Sequence, residues 1–396
     1  MGFRLDGEIA FLRELLRGDP DRLTLERIRR ENEWFDWDYF EEILFTSRVV
    51  PVVAHRFGPG SSFAELVPEG LARRITAEGE KTVARSLLKE RELRQVLSAF
   101  DDSRIPSIVL KGLCFAGRFY AEESLRETRD LDLLVPFEYL TGAERTLTGL
   151  GYTLFEGIHS RAYYRRHHFH VVYARRGLGV DVVELHWNLL PHPEGLAVDT
   201  EALFREAGSY EHRGIPVRVL SPLDEVAHLC ASLRMAQFAS LKRMVDLERM
   251  ARRLRRVTPA GEILRRGESW GIPREVAASL YLLERFWGEE GAFPGVAGNG
   301  WVRRFASRFR GRDFFGVGAS REIRLRLWNG YHFGGRSPGS FMGRLLFPDE
   351  DFRAKMFFSE EGPDRASGRV RRFFAGLASL TDLAAHLLLS RFRARP

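Results

Sequence analysis

The sequence contains few cysteines. Only two of its 396 residues are cysteine, and both, Cys114 and Cys230, fall among apolar residues with helical spacing. Two such cysteines exclude a disulfide-rich framework and a cysteine-based zinc site, and they are typical of small buried side chains. Because disulfides are rare in reducing compartments, this pattern predicts a cytoplasmic protein.

Lysine is scarce as well. Only five of the 61 basic residues are lysine, so arginine supplies most of the positive charge behind the formal net charge of +7. This charge would attract polyanions, but no run of basic residues interleaved with aromatic ones indicates a nucleic-acid-binding stripe. The arginine excess is more typical of a GC-rich genome than of a nucleic-acid surface.

Long apolar runs are also missing. No stretch of about 20 uninterrupted apolar residues is present, which argues against a membrane-spanning helix. Charges run through the first residues of the sequence, which argues against a signal peptide. The composition, 44% hydrophobic and 29% charged, is that of an ordinary soluble protein with room for two or three domains.

The most informative stretch runs over residues 108–135. An apolar, β-branched run over 105–110 ends at Lys111 and Gly112, which predicts a strand followed by a turn. Residues 113–120 then have helical apolar spacing, so Gly112 is expected at a helix N-terminus. Free backbone N–H groups and the positive end of the helix dipole would suit a phosphate there.

Two aspartates follow in the pattern Asp130-Leu131-Asp132. On a strand, residues i and i+2 point to the same face, so both carboxylates would project side by side. Such carboxylates repel each other unless a cation lies between them, and oxygen ligands on a rigid strand suit Mg²⁺. The alternative is a strand end at which the aspartates cap the adjacent loop.

Three segments carry a resemblance to a known family. The segments IPSIVLKG, LRETRDLDLLV and VELHW resemble the bacterial uncharacterised nucleotidyltransferases, which belong to the DNA polymerase β superfamily. The resemblance implies transfer of a nucleoside monophosphate from a nucleoside triphosphate (NTP) to an acceptor, with one or two Mg²⁺ ions. Here Leu113 follows Gly112, where the superfamily usually has glycine or serine. Lys111, Arg126 and Arg129 could supply positive charge to the phosphates in its place.

A third carboxylate would complete the metal site. Asp181 and Glu184 both lie between apolar neighbours, and strand alternation lets only one of them face Asp130 and Asp132. Glu184 is preferred because it lies in the VELHW segment, and Asp181 remains the alternative third carboxylate. The predicted catalytic and metal-binding residues are therefore Asp130, Asp132 and Glu184. Glu184 would also be placed to accept the acceptor's proton.

Four histidines lie near these strands. His186 shares its strand face with Glu184, so it is either a hydrogen-bonded scaffold residue or part of the site. His168 and His170 also share a face, and His167 lies beside them. Without a cysteine cluster nearby, exposed strand histidines are a better interpretation of these three than a zinc site.

The chain is expected to have an α+β fold, with a small mixed-sheet nucleotidyltransferase core embedded between N-terminal and C-terminal helical regions. The expected regions are helical over 1–104, the core over 105–219, a helical substrate-closing region over 220–290 and a basic helical region over 291–396. In the third region, Arg243 and Asp246 could either contribute to the site or form an ion pair within one helix.

Periodicity and turn residues predict the individual elements. Helices are expected over 8–17, 37–57 with a break near Pro51, 68–100, 113–120, 136–150, 224–235, 238–254, 260–267, 273–287 and 370–392. Strands are expected over 105–110, 130–135, 152–155, 163–173 and 179–187.

The leading hypothesis is a metal-dependent nucleotidyltransferase whose acceptor is a small hydroxylated metabolite, a sugar phosphate, a peptide or an RNA end. One alternative is a binding protein that kept the fold and lost turnover, which Leu113 after Gly112 favours. Another is an RNA-directed enzyme or toxin-like modifier, which the net charge of +7 favours. The last helix, with basic ends, could also make weak peripheral contact with anionic lipid, although docking on the rest of the protein explains the same pattern.

Overall fold

A computed structural model describes residues 6–58, 61–155, 168–176, 180–190, 198–289, 291–296, 299–307, 309 and 311–315. All of these residues belong to one structural unit, which ends at residue 316. His167, the start of the strand expected over 163–173 and the helix expected over 370–392 lie outside the described residues.

The described residues form thirteen α-helices, most of which match the predicted spans within a few residues. The helices are α1 Gly7–Leu16, α2 Arg22–Glu31, α3 Trp37–Thr46, α4 Val50–Arg56, α5 Glu69–Asp102, α6 Leu113–Phe119, α7 Leu140–Gly149, α8 Thr200–Glu206, α9 Pro222–Met235, α10 Leu241–Leu254, α11 Ala260–Ser269, α12 Pro273–Trp287 and α13 Gly300–Ala306.

The helix expected over 37–57 divides into α3 and α4. The chain breaks at Arg48, which has a φ of 58°, in the left-handed region that ends a helix. Pro51 lies in the first turn of α4, where its missing N–H is tolerated. Helix α2 was not predicted, because only one of its residues, Leu25, is buried and no apolar stripe marks it.

Seven strands form one mixed sheet. They are β1 Ile108–Val109, β2 Leu131–Leu134, β3 Thr153–Leu154, β4 His170–Arg176, β5 Val180–His186, β6 Gly208–His212 and β7 Ile215–Val219. Their order is β3-β4-β5-β2-β1-β7-β6, with β2–β5 and β1–β7 parallel and the other neighbours antiparallel. The predicted α+β fold, a mixed sheet with helical regions on either side in the sequence, is confirmed.

The hairpin of β6 and β7 is an element that the sequence reasoning missed. Along β7, the buried residues Ile215, Val217 and Val219 alternate with exposed ones, which is the pattern of a half-buried strand. Arg213 and Gly214 form the turn with φ values of 49° and 78°, as a two-residue hairpin turn requires. The hairpin extends the sheet beyond β1.

Helices α9 to α12 follow the sheet in the chain. Ser221 caps α9 as predicted, because its Oγ accepts a hydrogen bond from the Asp224 N–H at 3.3 Å. Cys230 on α9 and Cys114 on α6 are free and buried, which confirms their interpretation as small core side chains. Among the described residues, no helix is both long enough and apolar enough to cross a membrane.

Candidate active site

The parallel pairing of β2 and β5 aligns three polar side chains at the centre of the sheet. Its register places Asp132 opposite Glu184, and Leu134 opposite His186. Because residues two apart on a strand share a face, Glu184 and His186 project on the same side as Asp132. The residues between them, such as Leu133 and Leu185, are fully buried on the other face. Apolar packing behind the strands therefore holds the polar side chains in place.

Asp132, Glu184 and His186 converge closely enough to share one ion. One side-chain ligand atom from each lies within 4.8 Å of the others. The Nε2 atom of His186 lies 3.2 Å from Asp132 Oδ1 and 3.4 Å from Glu184 Oε2. Lys111 adds a cation, with its Nζ 3.0 Å from Asp132 Oδ1. The arrangement can attract and hold a divalent cation.

These charges shift one another's protonation. Burial opposes ionisation of Asp132, but the Lys111 ammonium and His186 outweigh it and hold the pKa of Asp132 well below its usual range. Burial also opposes protonation of His186, yet hydrogen bonds to Asp132 and Glu184 raise its pKa. Burial and the neighbouring Asp132 raise the pKa of Glu184, although His186 works against them. Asp132 is thus the carboxylate that stays ionised.

The structure separates the two candidates for the third carboxylate. Glu184 lies beside Asp132, whereas Asp181 accepts hydrogen bonds from Arg175, the shorter at 3.0 Å. The strand expected over 130–135 begins at Leu131, so Asp130 precedes the strand and is half-buried. In the described part of the chain, the group of side chains that can share an ion does not include Asp130 or Asp181.

Gly112 lies where the sequence predicts, immediately before α6. Its φ of 72° and ψ of −137° belong to a region that other residues avoid. A Cβ atom at this position would lie 3.3 Å from Cγ2 of Thr128, closer than most such contacts. Glycine is therefore required for the turn that joins β1 to α6.

Arg126, predicted to bind phosphate, forms a buried ion pair with Asp246. Its Nε donates to Asp246 Oδ1 at 2.9 Å and a terminal nitrogen donates to Oδ2 at 3.0 Å. Tyr120 adds a hydrogen bond to Asp246 Oδ1 at 2.7 Å. Burial opposes ionisation of Asp246, but the charge of Arg126 outweighs this effect and lowers the pKa of Asp246. Through Nε and one terminal nitrogen, Arg126 therefore joins the chain before β2 to α10, while its other terminal nitrogen lies 3.5 Å from Thr128 Oγ1.

The other predicted cationic side chains also have partners within the protein. Arg129 is exposed over 62% of its side chain and pairs with Glu127. An ion pair between Arg243 and Asp246, one of the two alternatives for these residues, is not formed among the described residues, and Arg243 Nε instead donates to Ser232 Oγ at 2.8 Å. Of the three cations predicted for phosphate, Lys111 is the one that reaches the acidic cluster.

Lys242 on α10 is a residue that the sequence reasoning missed. Its side chain is only 16% exposed, and its Nζ lies 3.8 Å from Asp246 Oδ2, beyond hydrogen-bonding distance. Burial and the nearby Arg126 lower the pKa of Lys242 to about 7. Its contact with Asp246 is thus an ion pair and not a hydrogen bond. In the sequence, Lys242 directly precedes Arg243, one of the two residues predicted from this helix.

Comparisons with known proteins bear on the family of the chain. The sequence profile of a family described as uncharacterised nucleotidyltransferase matches residues 33–288, more than half of the chain. No functionally curated protein matches the chain in sequence.

Two solved structures are similar to parts of the chain. One is the antibiotic-resistance factor ANT(2'')-Ia, with 16% identity, coverage of 50% of this chain and 96% of that chain, and a TM-score of 0.34. The other is an antigenic nucleotidyltransferase-like protein from Paracoccidioides brasiliensis, with 17% identity, coverage of 52% and 87%, and a TM-score of 0.30. At these scores, neither structure carries an argument about this chain.

Proposed function

The chain belongs to the uncharacterised nucleotidyltransferase family, and from this premise we propose that it transfers a nucleoside monophosphate from an NTP to an acceptor with the help of a divalent metal ion. One observation carries the proposal: the in-register pairing of β2 and β5 brings the carboxylates of Asp132 and Glu184 together with His186. Two carboxylates and an imidazole nitrogen are a donor set that fits a divalent ion.

Each residue of the site has a proposed role. Asp132 and Glu184 hold the ion, and Asp130, which lies just before β2 and outside this group, is proposed as a further ligand. A bound ion would neutralise phosphate charge and make the acceptor oxygen more acidic. Glu184, with 26% of its side chain exposed, can accept the proton of the acceptor hydroxyl. The Lys111 ammonium, close to Asp132, can turn to the phosphates beside the Gly112 turn.

The acceptor remains one of four classes: a small hydroxylated metabolite, a sugar phosphate, a peptide or an RNA end. The cytoplasmic location stays a prediction from the cysteine content.

A direct experiment measures NTP binding and transfer together. We expect the NTP that the site prefers to raise the melting temperature of the full chain only when Mg²⁺ or Mn²⁺ is present, because a bound ion would offset the repulsion between the acidic side chains and the phosphates. Transfer is read out as radiolabel from an α-³²P-labelled NTP appearing on an acceptor from a metabolite, peptide or RNA panel. Stabilisation by all four NTPs without any metal would indicate a polyanion-binding surface and contradict the proposal.

The choice of Glu184 over Asp181 leads to a prediction. Because burial and Asp132 raise the pKa of Glu184, its ionised form is less stable in the folded than in the unfolded chain, so at neutral pH it destabilises the metal-free protein. Glu184→Gln is therefore expected to leave the metal-free melting temperature unchanged or higher, while it loses the metal-dependent stabilisation by NTP.

The matched control is Asp181→Asn on the same strand. This change breaks the contact with Arg175 but is expected to keep the response to metal and NTP. Melting curves of both variants, with and without metal and NTP, make the comparison. If the control loses the response and Glu184→Gln keeps it, the third carboxylate is Asp181.

Lys242 leads to a second prediction, as a residue that binds phosphate. Lys242→Met should weaken NTP binding by roughly 10-fold or more, since a charge-assisted hydrogen bond contributes about 1.5–3 kcal/mol. Lys242→Arg should retain most of the affinity. Stability should change little in the methionine variant, because burial already disfavours the charged lysine. Calorimetric titration with a non-hydrolysable NTP tests this, and equal affinities of wild type and Lys242→Met would remove Lys242 from the site.

A second candidate function is NTP binding without turnover. The observation that favours it is the Lys111–Asp132 salt bridge at 3.0 Å, which neutralises the carboxylate that stays ionised. Metal-dependent binding of NTP without transfer to any member of the acceptor panel would favour this alternative.

A further inference from the structure

His186 stands at the distance expected of a metal ligand. Two ligands that are neighbours around an octahedral ion, each about 2.1 Å from it, are about 3.0 Å apart. The Nε2 atom of His186 lies 3.2 Å from Asp132 Oδ1 and 3.4 Å from Glu184 Oε2. Because the three ligand atoms lie within 4.8 Å of one another, one oxygen of each carboxylate and the imidazole nitrogen are close enough to bind a single ion.

The surroundings of His186 concentrate its polar interactions at Nε2. The residue is only 2% exposed, and its ring stacks on that of His170 with centroids 4.8 Å apart and planes 28° apart. Its Nδ1 atom is buried and has no hydrogen-bond partner in the described part of the chain. Here the ring plane is set by stacking, and Nε2 is directed at the two carboxylates.

The identity of the ligands bears on the identity of the ion. Mg²⁺ takes oxygen ligands and keeps several waters, whereas imidazole nitrogen suits transition ions such as Fe²⁺, Ni²⁺ and Zn²⁺, and Mn²⁺ is the weakest-binding ion of that series. We propose that His186 is a metal ligand together with Asp132 and Glu184, and that the site therefore binds first-row transition ions more tightly than Mg²⁺, with Mn²⁺, the weakest binder of that series, as the most stringent probe. This inference rests on the metal-binding part of the proposed function and narrows it.

Lys111 is the group that the ion must displace. Its Nζ lies 3.0 Å from Asp132 Oδ1, the oxygen that also contacts His186. The Lys111 side chain is 22% exposed, so the ammonium can move towards solvent or phosphate without crossing the core. Lys111 thus balances the charge of Asp132 before the ion binds, and repulsion between two cations moves it afterwards.

The preference for a transition ion can be measured as the ratio of the Mn²⁺ and Mg²⁺ affinities. For the full-length wild-type chain, we expect Mn²⁺ to bind about tenfold or more tightly than Mg²⁺. His186→Gln should reduce Mn²⁺ affinity about tenfold and Mg²⁺ affinity much less, because only Mn²⁺ gains from the nitrogen ligand. The exposed residue His55 provides the matched control, and His55→Gln should leave both affinities unchanged.

Pulsed electron paramagnetic resonance of bound Mn²⁺ tests the ligand directly. The full chain with one equivalent of Mn²⁺ should show ¹⁴N coupling from a directly bound imidazole, and this coupling should change when histidine is labelled with ¹⁵N. His55→Gln should keep the coupling and His186→Gln should lose it. The wild-type spectrum alone decides the question if the His186 variant does not fold.

Wild-type Mn²⁺ spectra without nitrogen coupling, or Mg²⁺ binding as tight as that of Mn²⁺, would overturn the inference. Nucleotidyl transfer is measured on the same samples to separate this result from the proposed function. Transfer with Mg²⁺ but without nitrogen coupling would overturn the inference and leave the function standing. Nitrogen coupling without transfer in either metal would support the ligand assignment and count against the function.

Discussion

Asp132→Asn is expected to abolish nucleotidyl transfer, with a loss of roughly 10²–10³-fold or more, the scale seen when a positioned electrostatic group is removed. Asp132 is the most strongly ionised carboxylate of the cluster and the one that contacts both Lys111 and His186. An asparagine keeps the shape of the side chain but not the negative charge. Metal-dependent stabilisation by NTP should disappear together with activity.

The effect of this substitution on folding is expected to be smaller. The Lys111 ammonium loses its partner, but it is partly exposed and can regain water, so a loss of about 1–3 kcal/mol in the free energy of unfolding is expected. Urea unfolding and transfer rates measured on the same preparation separate the two effects. A folded Asp132→Asn variant whose transfer rate stays within about threefold of wild type would place the active site elsewhere.

Arg126→Met is expected to have the largest effect on stability, a loss of about 3–5 kcal/mol in the free energy of unfolding. Arg126 is 5% exposed, and its partner Asp246 is 1% exposed. Removal of the guanidinium leaves a buried carboxylate whose remaining partners are the Tyr120 hydroxyl and, at 3.8 Å, Lys242. Methionine can still pack against Phe115, so the main cost is the uncompensated charge.

The matched control for this prediction is Arg129→Met. Arg129 is exposed, and its loss should change stability by less than about 0.5 kcal/mol. The double variant Arg126→Met/Asp246→Leu should recover much of the loss, because it removes both buried charges. Urea unfolding of these variants, with NTP affinity measured on those that fold, tests the structural role. A stable Arg126→Met variant with weakened NTP binding would return Arg126 to the phosphate site.

Local patterns were sufficient to predict much of the fold. Apolar periodicity marked the long helix α5 and the helices α9 to α12, and the Gly112 turn lies between β1 and α6 as expected. Ser221 and Pro222 marked the start of α9 because capping depends on residues adjacent in the chain. Elements with little apolar signal of their own, such as α2, or with short alternating runs, such as β7, were missed.

The sequence by itself determined the family segments, the mixed character of the core and the presence of Asp132 and Glu184 on strands. Only the tertiary structure decided which charges meet. The register between β2 and β5 places Glu184 beside Asp132, and the packing of α10 pairs Arg126 with Asp246 and places Lys242 Nζ 3.8 Å from the same carboxylate. The reason is physical: strand and helix patterns depend on neighbours in the chain, whereas the partner of a charge depends on segments more than 50 or 100 residues apart, which only packing brings together.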